Sequence, residues 1–218
     1  MAKTTKLHCI CILLILAISL IIYFGQFKQI KNTDGIQIQF IKPTNGCNTN
    51  DEKLFGIVFV NKTIIDEIAV EEELLVTRKL KICNGGASYE KKCNISNKVA
   101  IIIPFRNRQS QLNTFLRHMH PILFRQKLNY RIFVVEQSGN STFNRALLLN
   151  IGFTHALYYD NFDCFVFHDV DLLLENDENI YDCQKSPSHL SVAIDKFQYK
   201  LPYRQIFGGI EAFKKEHF

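Results

Sequence analysis

A chain of 218 residues, 47% hydrophobic and 22% charged, has room for one good-sized globular domain and lacks the composition of a disordered one. Its formal net charge of +5 does not mark a nucleic-acid binder. Lys3, Lys6, Lys28 and Lys31 flank the first apolar run and no acidic residue precedes Asp34; the rest is close to neutral, with no basic stripe or RNA-binding motif.

Residues 7–24 are almost unbroken apolar sequence, interrupted only by His8 and Ser19. That is about the length a helix needs to cross a bilayer. A cleaved signal peptide is the competing reading, with Ala17 and Ser19 as the small cleavage pair. The apolar run continues to Phe24, longer than an ordinary signal core, so an uncleaved anchor is favoured. Residues 1–6, with two lysines, then form a short cytoplasmic tail, and the rest of the chain is lumenal. Asn61-Lys-Thr63, Asn94-Ile-Ser96 and Asn140-Ser-Thr142 are glycosylation acceptors that suit a lumenal chain. Past the anchor, Cys47, Cys83, Cys93, Cys164 and Cys183 can pair in an oxidising lumen with one left over.

Residues 25–46 read as a stem, with a short strand possible over 36–40. Residues 47–97 form an N-terminal lumenal segment: an apolar run from Leu54 to Val60, an amphipathic stretch from Ile64 to Leu80, and a turn at Asn84-Gly85-Gly86. From Lys98 the pattern becomes regular. Val99 to Ile103 predicts a strand buried on both faces and ended by Pro104. Gln109 to Leu123 has helical apolar spacing, Tyr130 to Val135 is strand-like, Asn144 to Leu157 is helical, and Cys164 to Phe167 is a further strand. Strands alternating with helices imply an α/β sheet with right-handed crossovers over 98–218. Ligands of such sheets bind at the carboxyl ends of the strands. That rule selects Phe105 to Arg108 and Asp169 to Asp171.

Asp169 and Asp171 share a face on extended backbone. A carboxylate pair past a strand end suits a hard cation bridging to a diphosphate; the plain alternative is a solvated loop. Arg106 and Arg108 suit bidentate contacts to phosphate oxygens, or belong to an ordinary polar loop. Phe143 and Arg145 open the second helix. There an aromatic can stack on a base while Arg145 and the helix N-terminus favour an anion; taken alone, the segment also reads as an N-cap with a surface arginine. Phe207-Gly208-Gly209 lets backbone approach a sugar closely, or is a plain turn.

Five ordered segments, Val99 to Arg108, Phe143 to Ala146, Cys164 to Asp171, Val192 to Phe197, and Leu201 to Tyr203 with Phe207 to Gly209, together resemble the β-1,4-galactosyltransferase family. The resemblance implies a GT-A type fold, a UDP-sugar donor, Mn2+ and inversion at the anomeric carbon, in a single-pass type II protein of the Golgi membrane. It implies UDP contacts for Pro104, Phe105, Arg106, Asn107, Arg108, Phe143 and Arg145, nucleotide contacts for Asp169 and Val170, a metal-ligand role for Asp171, and a phosphate contact for Lys196. It places Tyr203, Ile206, Gly208 and Gly209 near the donor and acceptor sugars, and pairs Cys47 with Cys93 and Cys164 with Cys183, leaving Cys83 as the spare thiol. The acceptor implied is a glycan with terminal GlcNAc.

Two departures from the family pattern matter. The family's tryptophan-rich segment with its Glu-Asp-Asp base is not found before Phe218, and the chain contains no tryptophan. The chain therefore reads as the N-terminal two-thirds of an enzyme, expected to lack transfer activity alone. The alternative is a non-catalytic lumenal nucleotide-sugar or glycan binder. The second departure is Ile206, where galactosyl members usually carry tyrosine. A smaller side chain leaves room for an acetamido group and favours UDP-GalNAc over UDP-Gal.

Overall fold

The computed structural model describes residues 53–82, 85–87 and 98–218. The expected anchor at 7–24, the stem, the possible strand at 36–40, and Cys47, Cys83, Cys93 and Asn94 lie outside the described residues. Among the described residues no helix is long and apolar enough to cross a membrane.

A six-stranded sheet organises the chain. Its strands are β1 (Gly86–Ala87), β2 (Lys98–Phe105), β3 (Asn129–Glu136), β4 (Cys164–His168), β5 (Ser188–His189) and β6 (Ile210–Lys214), in the order β1-β3-β2-β4-β6-β5. The inner three, β3, β2 and β4, are parallel, while β1, β6 and β5 join antiparallel. Helix α2 (Gln109–Arg125) connects β2 to β3, and α3 (Arg145–Tyr159) connects β3 to β4.

Because side chains alternate across a strand, β2 feeds two cores. Ile101, Ile103 and Phe105 pack in one cluster with Leu112, Phe115 and Met119 of α2, while Ala100 and Ile102 pack in another with Leu149 and Ala156 of α3. The two helices therefore cover opposite faces. The first crossover leaves β2 toward one edge of the sheet, and the second returns past β2 to β4. Gly152 lets α3 approach closely, since a Cβ there would stand 2.4 Å from Ile102 Cγ2.

Strand β2 does not stop at Pro104 but runs through it to Phe105, paired to β3 at Pro104↔Val135 and Phe105↔Glu136. The ladder to β4 has already ended at Ile102, so the missing N–H of Pro104 breaks no bond on that side. The apolar run at 54–60 lies outside the six strands. Its one bridge joins Ile57 to Asn176, and Phe55, Ile57 and Phe59 are exposed.

Polar side chains hold this N-terminal stretch against α2. Arg117 donates to the carbonyls of Asn61 and Thr63 at 2.6 and 2.8 Å, and Asn113 to that of Ile65 at 3.0 Å. Asp177, fully buried, accepts from the Phe55 and Gly56 N–H groups and from Arg125 Nε at 2.8 Å. Burial works to raise the Asp177 carboxyl, but these donors prevail and hold it below the usual carboxylate range. Within the expected amphipathic stretch, helix α1 (Glu67–Glu71), capped by Asp66, passes into a π-helical turn over Glu72–Thr77, burying Val70 and Leu74. The Cys164–Cys183 disulfide is formed and ties β4 to the loop beyond it. Asn61 and Asn140 are both exposed.

Candidate functional site

The carboxyl ends of β2 and β4 open on a cavity of about 320 Å³ lined by Pro104, Arg106, Arg108, Phe143, Arg145, Asp169, Val170 and Asp171. Residues 104–108 arrive directly off β2, and the left-handed backbone of Asn107 (φ 53°) separates the two arginines. Residues 169–171 arrive directly off β4. Phe143 and Arg145 come from the loop after β3 and the first turn of α3, whose Asn144 side chain caps the helix by accepting from Leu147 N at 3.0 Å.

Buried Gln137 shapes that loop. Its amide donates to Ser141 Oγ and to the Thr142 carbonyl, both at 2.9 Å, and accepts from Asn144 N at 2.8 Å. Arg106 reaches across to the Ser141 carbonyl at 2.5 Å and lies 5.3 Å over the Phe143 ring. Phe143 is thus presented at the cavity wall with one cation against it.

Each aspartate is matched by an arginine. Arg108 Nη1 donates to Asp171 Oδ2 at 2.8 Å, with both side chains about half exposed. Arg145 Nε donates to Asp169 Oδ1 at 2.7 Å, about one-third exposed on each side. Exposed pairs of this kind contribute roughly 0–1 kcal/mol, so an incoming anion and cation can part them at little cost. Behind Arg145, Nη2 lies 3.5 Å from Glu211 Oε1 and has no hydrogen-bond partner. Burial raises the Glu211 carboxyl above its ordinary range; Arg145 opposes and Asp169 reinforces that shift.

The backbone under the aspartates is fixed from two sides. Asp169 N donates to the Gly209 carbonyl at 2.9 Å. His168, fully buried, sits 2.8 Å by Nδ1 from the Asp169 carbonyl and 2.6 Å by Nε2 from Tyr181 OH. The carbonyl requires a proton on Nδ1, leaving Nε2 to accept from the phenol; burial pushes the imidazole down to about 4, so it stays neutral. Gly208 is tied in turn: its carbonyl accepts from Ser191 Oγ at 2.9 Å and lies 2.8 Å from His189 Nε2.

The structure therefore brings together eight of the residues selected from the sequence. Phe105 contributes its side chain to the core instead, and its carbonyl accepts from Gln137 N at 3.0 Å. Asn107, Lys196, Tyr203 and Ile206 are not in the cavity wall. Lys196 is exposed, 5.9 Å over the Phe197 ring, Tyr203 is 59% exposed, and Ile206 is half-buried. Sequence reasoning missed Gln137, His189, Ser191 and Glu211. Only Glu211 left a signal, an acidic residue between the apolar Ile210 and Ala212.

No cluster of three or more His, Cys, Asp or Glu side chains stands together among the described residues. Asp171 is the exposed carboxylate facing the cavity, which suits a hard cation. A single carboxylate is an incomplete shell, so the residues fit a metal that arrives with its own oxygen ligands.

The model of the N-terminal region of glycosyl transferase group 7 matches residues 47–184, and that of the N-terminal domain of galactosyltransferase matches 188–218. Mouse β-1,4-galactosyltransferase 1 is 51% identical over 162 residues, covering 74% of this chain and 41% of that protein. Zebrafish β-1,4-galactosyltransferase 5 is 41% identical over 179 residues, covering 81% and 46%. The chain thus spans less than half the length of these relatives. A solved Drosophila β-1,4-galactosyltransferase 7, complexed with manganese, UDP-Gal and xylobiose, is 36% identical, with a TM-score of 0.49 over 56% of this chain and 51% of that one.

Proposed function

This chain belongs to the glycosyl transferase group 7 family, and from that premise we propose that it forms the donor-binding part of an inverting, UDP-sugar-dependent glycosyltransferase of GT-A type. The reaction is transfer of GalNAc or Gal in β-1,4 linkage to a terminal GlcNAc acceptor, in a Golgi-membrane protein whose catalytic part is lumenal. One observation carries the reading: Arg106, Arg108 and Arg145 converge with Asp169, Asp171 and Phe143 on a single cavity at the carboxyl ends of two parallel strands.

The three arginines outnumber the two aspartates in the wall, which suits a diphosphate. Donor binding proceeds as an exchange of partners. Arg108 would leave Asp171 and Arg145 would leave Asp169 for phosphate or sugar oxygens, and the freed carboxylates would be available to a cation and to the nucleotide's hydroxyls. Phe143 offers a face for the base. Asp171 is the residue that would hold Mn2+, which would neutralise charge on the departing UDP. The Gly209 carbonyl, accepting from Asp169 N, fixes the backbone that carries the nucleotide-binding carboxylate. GalNAc is the favoured donor because half-buried Ile206 stands where galactosyl relatives are expected to carry tyrosine.

Calorimetry of UDP binding to the full-length protein, with and without Mn2+, tests the donor site. Asp171→Asn should remove most of the Mn2+-dependent affinity, about tenfold or more; an unchanged dependence refutes the ligand assignment. Binding without transfer of either sugar favours the non-catalytic binder. Assaying both donors side by side tests the sugar. Ile206→Tyr should shift the kcat/KM ratio toward UDP-Gal by about ten- to a thousandfold, from overpacking of ~1–3 kcal/mol and a hydroxyl contact of ~0.5–1.5 kcal/mol. A wild type that already prefers UDP-Gal overturns the assignment.

A further inference from the structure

Strand β6 carries one acidic residue in its buried half. Ile210 and Ala212 are core residues, and Glu211 between them is only 7% exposed. In the ladder it lies opposite Phe167 of β4 and His189 of β5. A carboxylate is costly there unless a cation meets it. The cation is Arg145, whose Nη2 stands 3.5 Å from Glu211 Oε1. That nitrogen is itself buried and has no hydrogen-bond partner.

The guanidinium of Arg145 is thus bracketed by two anions of different accessibility. Asp169 holds Nε at 2.7 Å from the cavity side and is one-third exposed. Glu211 stands behind, where its side chain is 9% exposed. A ligand that recruits Asp169 frees Nε, and a guanidinium held by one partner only would follow that partner or turn into solvent. The rear carboxylate has no competing ligand to follow. It also supplies the negative charge that a desolvated guanidinium edge requires when water cannot reach it.

We infer that Glu211 is a positioning residue for donor binding, anchoring the Nη2 edge of Arg145 so that the rest of the guanidinium stays aimed into the cavity when Asp169 is recruited. The inference rests on the donor-site reading of that cavity. It assigns Glu211 no contact with substrate.

The test is a double-mutant cycle on the full-length protein, with the dissociation constants of UDP and UDP-Gal measured in Mn2+ by calorimetry. Glu211→Gln keeps the shape and an oxygen acceptor but removes the charge, and should weaken binding about three- to tenfold. In an Arg145→Met background the same change should cost less than about twofold, because the group it positions is gone. Glu211→Asp, which retracts the charge by one carbon, should show a smaller loss with the same dependence on Arg145. A purely structural role lowers the melting temperature and weakens binding equally in both backgrounds. Equal losses, or wild-type affinity in Glu211→Gln, overturn this inference alone. A wild type that binds neither UDP nor UDP-Gal overturns the donor-site reading and this inference with it.

Discussion

Gly208 and Gly209 are neighbours, yet alanine should be nearly silent at one and disruptive at the other. At Gly209 the backbone is left-handed (φ +94°), and a Cβ would stand 2.7 Å from Ser191 Oγ and 2.9 Å from Leu172 Cδ1. The strained backbone costs about 1–3 kcal/mol and the overpacking a similar amount. Ser191 cannot simply turn away, because its hydroxyl donates to the Gly208 carbonyl and accepts from Ile210 N, both at 2.9 Å. Gly209→Ala should therefore destabilise the fold by about 3–5 kcal/mol. It should also weaken UDP binding, since the Gly209 carbonyl holds Asp169 N. A Cβ on Gly208 meets nothing nearer than Glu211 Oε1 at 3.8 Å, without left-handed backbone. Gly208→Ala should stay within about 0.5 kcal/mol of wild type. Urea unfolding of both variants, with UDP calorimetry on each, gives the comparison. Equal destabilisation by the two alanines, or a Gly209→Ala loss under about 1 kcal/mol, would refute the reasoning.

Acid should weaken the fold well before carboxylates protonate. Burial pushes both His120 and His168 down to about 4 from 6.5, so the unfolded chain binds more protons between those values. Stability is then full above pH 6.5 and falls as pH drops toward 4, by up to ~3 kcal/mol per histidine; equal urea midpoints at pH 7.5 and 5 would contradict this. Asp177→Ala leaves Arg125 buried without its partner and frees the Phe55 and Gly56 N–H groups. It should cost about 3–5 kcal/mol, and hydrogen exchange should show residues 53–60 losing protection first.

The α/β alternation after Lys98 was legible because both periods, two and 3.6, are intact there. The site was legible in part because it follows a positional rule: polar residues just past buried strands, here Arg106, Arg108, Asp169 and Asp171. What escaped detection depends on partners distant in sequence. Pro104 looks like a strand terminator until the shortness of the β4 ladder is known, and Phe105 looks like a site residue until its strand is seen to continue. The two-residue strands β1 and β5 carry no periodic signal, and Ser191 and Glu211 acquire roles only once β6 lies beside β4. For the apolar run at 54–60, composition cannot register that Asp177 holds it by the N–H groups of Phe55 and Gly56.

The two-sided packing of β2 has a consequence for which changes this gene can survive. Alternation along β2 assigns Ile101 and Ile103 to one core and Ile102 to the other, and the same strand delivers Arg106 and Arg108 to the cavity wall just past its end, where left-handed Asn107 separates them. Removing a single codon within Val99–Ile103 would exchange the faces of the residues on one side of the deletion and shift Arg106 and Arg108 relative to the cavity. Strand length therefore serves both cores and the cavity, and an in-frame deletion there should disturb fold and donor binding together. Gly139 is the contrasting position: a Cβ there would meet nothing within 4 Å, so a substitution meets only the demand of its left-handed backbone (φ +74°).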